Sequence, residues 1–165
     1  MILDPQKPGV GVAAVIWQDE RRERLLLGLG HDPATRDSIY AMPGGHWDPG
    51  ESLIEAAQRE AREEAGVEID RVTFVCAFDF FREDKQRSYV SIWFQSIWAG
   101  GEPTVMESAN KRSWGWYTPA EALALPLWEL DRMLITRVTS GVQQFETNPK
   151  LVTVDMRPRT STVGG

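Results

Sequence analysis

The order of sequence patterns predicts an α+β domain on a mixed β-sheet, with strands first, one helix in the middle, more strands, and helices at the end. Three observations carry this. β-Branched and small apolar runs occur at Gly9 to Trp17 and Arg24 to Leu29, and again at Val72 to Phe81 and Ser88 to Trp98. Two capping boxes, Ser52 with Glu55 and Thr118 with Glu121, mark helix starts between and after those runs. The regular strand–helix alternation of a doubly wound parallel sheet is missing. At 165 residues, 42% hydrophobic and 25% charged, the chain suits one domain at residues 1–141, followed by a polar tail at 142–165.

The charged stretch Gln18 to Glu23 reads as the turn of a first hairpin. His31 to Tyr40 is polar and contains Pro33, so it reads as a surface loop. The central helix starts at the Ser52 box and ends at Gly66, a C′ glycine. Within it Ile54, Ala57, Ala61 and Ala65 share one narrow face, mostly of small residues suited to close packing. Arg82 to Gln86 reads as the turn of a long second hairpin, and Lys111 to Tyr117 as a further strand. Pro119 opens a short helix that Pro126 stops, and a third helix spans Trp128 to Thr139, ending near Gly141. In the tail, the alternation of Leu151 to Met156 fits an added strand and chance equally well.

Eighteen basic residues against 24 acidic ones leave a net charge of −6. Such a chain is a poor non-specific binder of long nucleic acid. A phosphate-rich ligand would need positive charge from elsewhere, and a metal ion is the obvious source. No apolar run approaches the roughly 18 residues of a membrane helix, and Met1 to Pro5 has neither the basic nor the apolar region of a signal peptide. One cysteine, Cys76, allows no internal disulfide, which fits a reducing compartment and makes the cytoplasm the expected location.

The chemistry lies in Pro43 to Val67. Glu60, Glu63 and Glu64 stand at i, i+3 and i+4 of the central helix. Like charges at that spacing repel, and Glu63 and Glu64 also meet the unfavourable C-terminal end of the helix dipole. A solvated acidic face is the plain reading of such a triplet. Three clustered carboxylates are also hard oxygen ligands suited to Mg²⁺ or Mn²⁺, ions that bind substrate phosphates as well. The pair Gly44-Gly45 lets backbone carbonyls approach the same ion.

Gly45, five residues, Glu51, seven residues, then Arg59-Glu60-Ala61-Arg62-Glu63-Glu64-Ala65-Gly66-Val67 resembles the Nudix box of the Nudix hydrolases. Ala61 departs from the larger aliphatic residue usual there but removes no ligand. Weaker likeness from about Gly9 to Ile135, including Ser113-Trp114-Gly115-Trp116, is similar to the MutT-like nucleoside triphosphate pyrophosphohydrolases. The resemblance implies an α/β/α sandwich, hydrolysis of a pyrophosphate bond in a nucleoside diphosphate derivative, and a homodimer as a common assembly. It implies Glu60, Glu63, Glu64 and the Gly44 carbonyl as metal ligands, Mg²⁺ with Mn²⁺ as an alternative. It also implies Glu60 as the base, Arg59 as its orienting partner, and Glu51 paired with Arg59 or reaching metal through water. Glu107 is an alternative base; as an isolated residue it reads as an exposed loop Glu.

For the substrate, the resemblance places base recognition near the C-terminal helix, where Asp131 and Met133 stand. Basic residues usual after the first hairpin are replaced by Leu29 and Gly30. Phosphate contacts would then fall to His31, Arg36, Arg82, Lys85 or Arg87, with His46 beside the box, or to metal alone. One of Trp17, Trp47, Trp93 or Trp128 could stack on a base, although core packing explains most of the seven tryptophans. The downstream Pro of the ADP-ribose group and Tyr of the dinucleoside polyphosphate group are not at their places, which Arg82 to Lys85 fills. Nucleotide sugars, ADP-ribose and dinucleoside polyphosphates remain the alternative substrates, and a non-catalytic nucleotide-binding domain the alternative of another class. Other motifs fail on detail. Glu51 stands where a phosphate-binding P-loop needs Lys, and two histidines with one cysteine make no zinc set.

Overall fold

The computed structural model describes residues 7–32, 35–82, 85–106 and 110–141. Seven strands form one mixed sheet: β1 Gly9–Trp17, β2 Leu25–His31, β3 Ser38–Ala41, β4 Gly44–His46, β5 Glu68–Arg82, β6 Arg87–Gly100 and β7 Lys111–Tyr117. Three helices accompany them, α1 Leu53–Ala65, α2 Pro119–Ala124 and α3 Glu129–Thr139. The main path runs β3-β2-β1-β6-β5, with β4 on β1 and β7 on β2. β1 pairs parallel with β6, in register from Gly9–Tyr89 to Trp17–Ile97, while the other strand pairings among the described residues are antiparallel.

Strand alternation sends β1 into both layers. Val12, Ala14 and Ile16 pack with Ala56, Ala57, Ala61 and Ala65 of α1 on one face. Ala13, Val15 and Trp17 pack with Leu130, Leu134 and Ile135 of α3 on the other. Nearly complete burial of β1 on both faces is why Gly9 to Trp17 reads as a continuous apolar run. Among the described residues no helix is long and apolar enough to cross a membrane.

Both capping boxes form, and Gly66 closes α1 in the left-handed region at φ 69°. Two expectations need correction, and one strand was not foreseen. His31 to Tyr40 is not wholly loop: β2 continues to His31, and Ser38–Ala41 pairs antiparallel with it, because Ile39 and Ala41 alternate inward. Gly44–His46 is itself a strand, opposite Gly11 to Ala13. Finally, Ile54 is 44% exposed. It sits at the edge of a buried stripe composed of Ala56, Ala57, Glu60, Ala61 and Ala65. The tail at 142–165, with Leu151 to Met156, lies outside the described residues.

Candidate active site

The stripe that docks α1 on the sheet is interrupted by carboxylates. Glu60 is 9% exposed and Glu64 half-buried, whereas Glu63 reaches solvent. Room for them comes from β4. A Cβ on Gly45 would lie 2.3–2.6 Å from the Glu60 carboxyl group, and one on Gly44 would meet the Val12 carbonyl at 2.5 Å. At Gly44 the obstacle is backbone, so contact requires glycine; at Gly45 it is the end of the Glu60 side chain, which any Cβ would push aside.

Arg59 is the hub of the cluster. Its Nε and Nη2 donate to the two Glu51 oxygens at 3.0 and 2.9 Å. Nη1 donates to Glu60 at 2.8 Å and Glu63 at 3.0 Å, and Nη2 also reaches the His46 carbonyl at 2.7 Å. Glu51 is fixed in turn by the Asp48 N–H at 2.9 Å, while the Trp47 indole donates to the Glu51 carbonyl at 2.8 Å. Glu64 accepts from the Gly44 N–H at 3.0 Å, and the Trp114 indole donates to its carbonyl at 2.9 Å.

Burial and pairing push these acids apart. The Arg59 hydrogen bond holds Glu51 below the usual carboxylate range. Burial raises Glu60 against the opposing pull of Arg59, and burial raises Glu64 despite its Gly44 hydrogen bond. Among the described residues no three acidic, His or Cys side chains are already gathered as a metal site. Glu60 and Glu63 are turned to Arg59 and Glu64 to Gly44, so a cation would have to take them over. The donor set nevertheless fits one: hard oxygens one helical turn apart, buried against a Cβ-less strand.

The expected substrate residues are dispersed. His46 is exposed, its ring 6.4 Å from that of Tyr89. Arg36 is exposed with φ 68°, and its carbonyl contacts His31 Nδ1 at 3.0 Å. Arg87 is buried, donates to the Lys7 carbonyl at 2.8 Å and stacks over Tyr89. Met133 packs against the α3-side core. Asp131 is also buried; its carboxylate accepts the Met42 N–H at 2.8 Å, and burial raises it to about 6. Trp17 and Trp93 are core residues. Glu107 lies outside the described residues. Sequence reasoning missed the anchoring indoles of Trp47 and Trp114; Trp47 inside the motif was the available signal.

The site is a carboxylate helix held by one arginine against a glycine strand in an α/β/α sandwich, with hard oxygen donors of the kind that suit a divalent cation. The NUDIX domain family model matches residues 7–138. The chain belongs to the Nudix hydrolase family, and it is MutT-like. It is 28% identical over 145 residues to the mouse 8-oxo-dGDP phosphatase NUDT18, covering 86% of this chain and 42% of that one. The chain thus spans about two fifths of that relative's length. Among solved structures, a Burkholderia pseudomallei MutT NUDIX hydrolase is 29% identical with a TM-score of 0.67, covering 81% of this chain and 100% of that chain. The NUDIX domain of Shewanella oneidensis NrtR, solved with ADP ribose, shares the fold at TM-score 0.68 and 20% identity, over 84% of this chain and 93% of that chain.

Proposed function

We propose that this chain hydrolyses a pyrophosphate bond in a nucleoside diphosphate derivative, with a (d)NTP and water giving NMP and pyrophosphate as the first reading. The observation that carries it is the Arg59-held carboxylate cluster on α1, set against Gly44-Gly45. Glu60, Glu63 and Glu64, with the Gly44 carbonyl, are the residues to hold a divalent cation, Mg²⁺ first and Mn²⁺ as substitute. Bound there, such an ion supplies neutralisation of phosphate charge and a more acidic attacking water.

The chain's own residues do the rest. Glu60 takes the proton of the water as it attacks phosphorus, and its burial makes it a stronger base than an exposed carboxylate. Arg59 fixes the orientation of Glu60, and the two-pronged Glu51 bond fixes Arg59. Asp131, buried on α3, is the residue to read a base edge, and Met133 lies on the same helix. A single cysteine, Cys76, forms no internal disulfide, which fits work in a reducing compartment, the cytoplasm.

The name of the NUDT18 relative, an 8-oxo-dGDP phosphatase, favours a second reading in which an oxidised guanine nucleoside diphosphate gives monophosphate and phosphate. Product analysis over a nucleotide panel, with Mg²⁺ or Mn²⁺ and again with chelator, separates the two. Metal-dependent pyrophosphate from triphosphates, lost in Glu63→Gln, supports the first; phosphate from diphosphates supports the second. Turnover of ADP-ribose, a nucleotide sugar or a dinucleoside polyphosphate alone keeps the chemistry and overturns the branch. No turnover, with a nucleotide still raising the melting temperature, makes the chain a binding domain.

A further inference from the structure

We propose that a second cleft, at the turn end of the β1–β2 hairpin, binds a phosphate-class dianion. It is a half-open groove of about 400 Å³, and Trp17, Glu20, Arg22, Arg71, Thr73 and Gln95 are among its lining residues. The Gly44-Gly45 strand lies beside Val12 and Ala13 of β1. The cleft opens at Trp17, on the order of 13 Å farther along that strand at its usual rise per residue. It is therefore separate from the carboxylate cluster, and its chemistry does not depend on the hydrolysis proposed above.

Of the four non-glycine residues with positive φ among the described residues, Arg22, Arg36, Arg71 and Gln86, two line this cleft. Arg22 and Arg71 have φ of 56° and 49°, in the left-handed region that glycine occupies freely and Asn or Asp tolerates. Each has a local cause. Arg22 closes the hairpin turn, its N–H on the Asp19 carbonyl at 3.1 Å. Arg71 sits in β5 where the register with β6 slips between Asp70 and Thr73. Neither cause explains why the side chain is arginine. At both places local geometry favours glycine, the sequence carries a long cation, and the two cations line one concavity.

Their present partners are weak or exchangeable. Arg22 donates to the Gln95 side chain at 3.3 Å, and Arg71 pairs with Glu20 in the open. Trp17, in the same lining, carries an indole N–H buried without an acceptor among the described residues. The lining thus offers guanidinium forks, an amide and a hydroxyl with a single acid to oppose them, in a chain whose net charge is −6. Forked guanidinium groups suit phosphate oxygens two at a time. The volume is large enough for free phosphate, pyrophosphate or the phosphate end of a nucleoside monophosphate.

The test is the melting temperature of the full chain in chelator at constant ionic strength, titrated with inorganic phosphate, pyrophosphate and AMP against chloride. A rise of about 4 °C at ten times Kd is expected, and the ligand with the largest response identifies the source. Arg22→Gly combined with Arg71→Gly should abolish the rise while holding or raising the ligand-free melting temperature, since glycine fits both backbone positions. Glu63→Gln should leave the rise intact. No rise with any of the three anions, a rise that survives the double variant, or one lost in Glu63→Gln would overturn the proposal. So would a fall in the ligand-free melting temperature of the double variant, which would assign the arginines to the fold.

Discussion

Arg59 pairs with Glu51, Glu60 and Glu63 at once. Arg59→Ala leaves those carboxylates facing one another, and charged hydrogen bonds of this kind contribute about 1.5–3 kcal/mol each when deep, less when partly solvated. A loss of about 1–3 kcal/mol in urea unfolding with chelator present is expected, with partial recovery when Mg²⁺ supplies the missing charge. Equal loss with and without Mg²⁺ would mean that no cation reaches these groups. Arg59→Lys should restore little, because a point charge cannot span Glu51 on one edge and Glu60 on the other. Gly45→Ala tests the opposite wall. Its methyl group would fall within 2.6 Å of the Glu60 carboxyl, so the side chain proposed as the base must move, and a displacement of about an ångström should cost on the order of 10²-fold in kcat/KM. Wild-type kinetics in that variant would remove Glu60 from the proposed role.

At the scale of elements, what could be read from sequence was what is specified locally. α1 begins and ends where its capping box and C′ glycine require, and α2 where Thr118, Pro119 and Glu121 do. β4 was missed because a three-residue strand exists through a partner well back along the chain, β1, and β3 because its four residues follow a polar, proline-containing segment before pairing back on the neighbouring β2. In the site, the residue types were legible, but the burial of Glu60 was not, since it depends on how α1 turns its face towards β4. The same holds for Asp131, whose carboxylate ties α3 to the Met42 N–H at the approach to β4. Burial raises Asp131 from 3.8 to about 6, so folding favours its protonated form. The stability it contributes is complete below about pH 4 and is lost as the pH rises through about 6. Asp131→Asn keeps the acceptor for Met42 without the charge. The variant should match wild type near pH 4 and exceed it by up to roughly 3 kcal/mol at pH 7.5, measured by urea midpoints across that range. A constant difference at all pH values would show that Asp131 does not titrate with folding.

For the whole molecule, the carboxylate helix is costly in a chain already at −6, because self-repulsion weakens any compact acidic fold. Any salt should therefore stabilise it somewhat, and stabilisation by Mg²⁺ is informative only against that background. Screening depends on ionic strength and acts on all exposed charges, whereas a bound cation acts at α1 and saturates. With Na⁺ and Mg²⁺ compared at equal ionic strength, Mg²⁺ at 100 times its Kd should add about 2.7 kcal/mol, or about 5–11 °C for a domain of this size. Glu63 is the side chain to change, because it is exposed and its substitution leaves the buried stripe of α1 intact. Glu63→Gln should keep the Na⁺ response and lose most of the extra Mg²⁺ response. Equal responses to the two salts in wild type would mean that the acidic face is merely solvated, and the proposed hydrolysis would then lose the cation it needs.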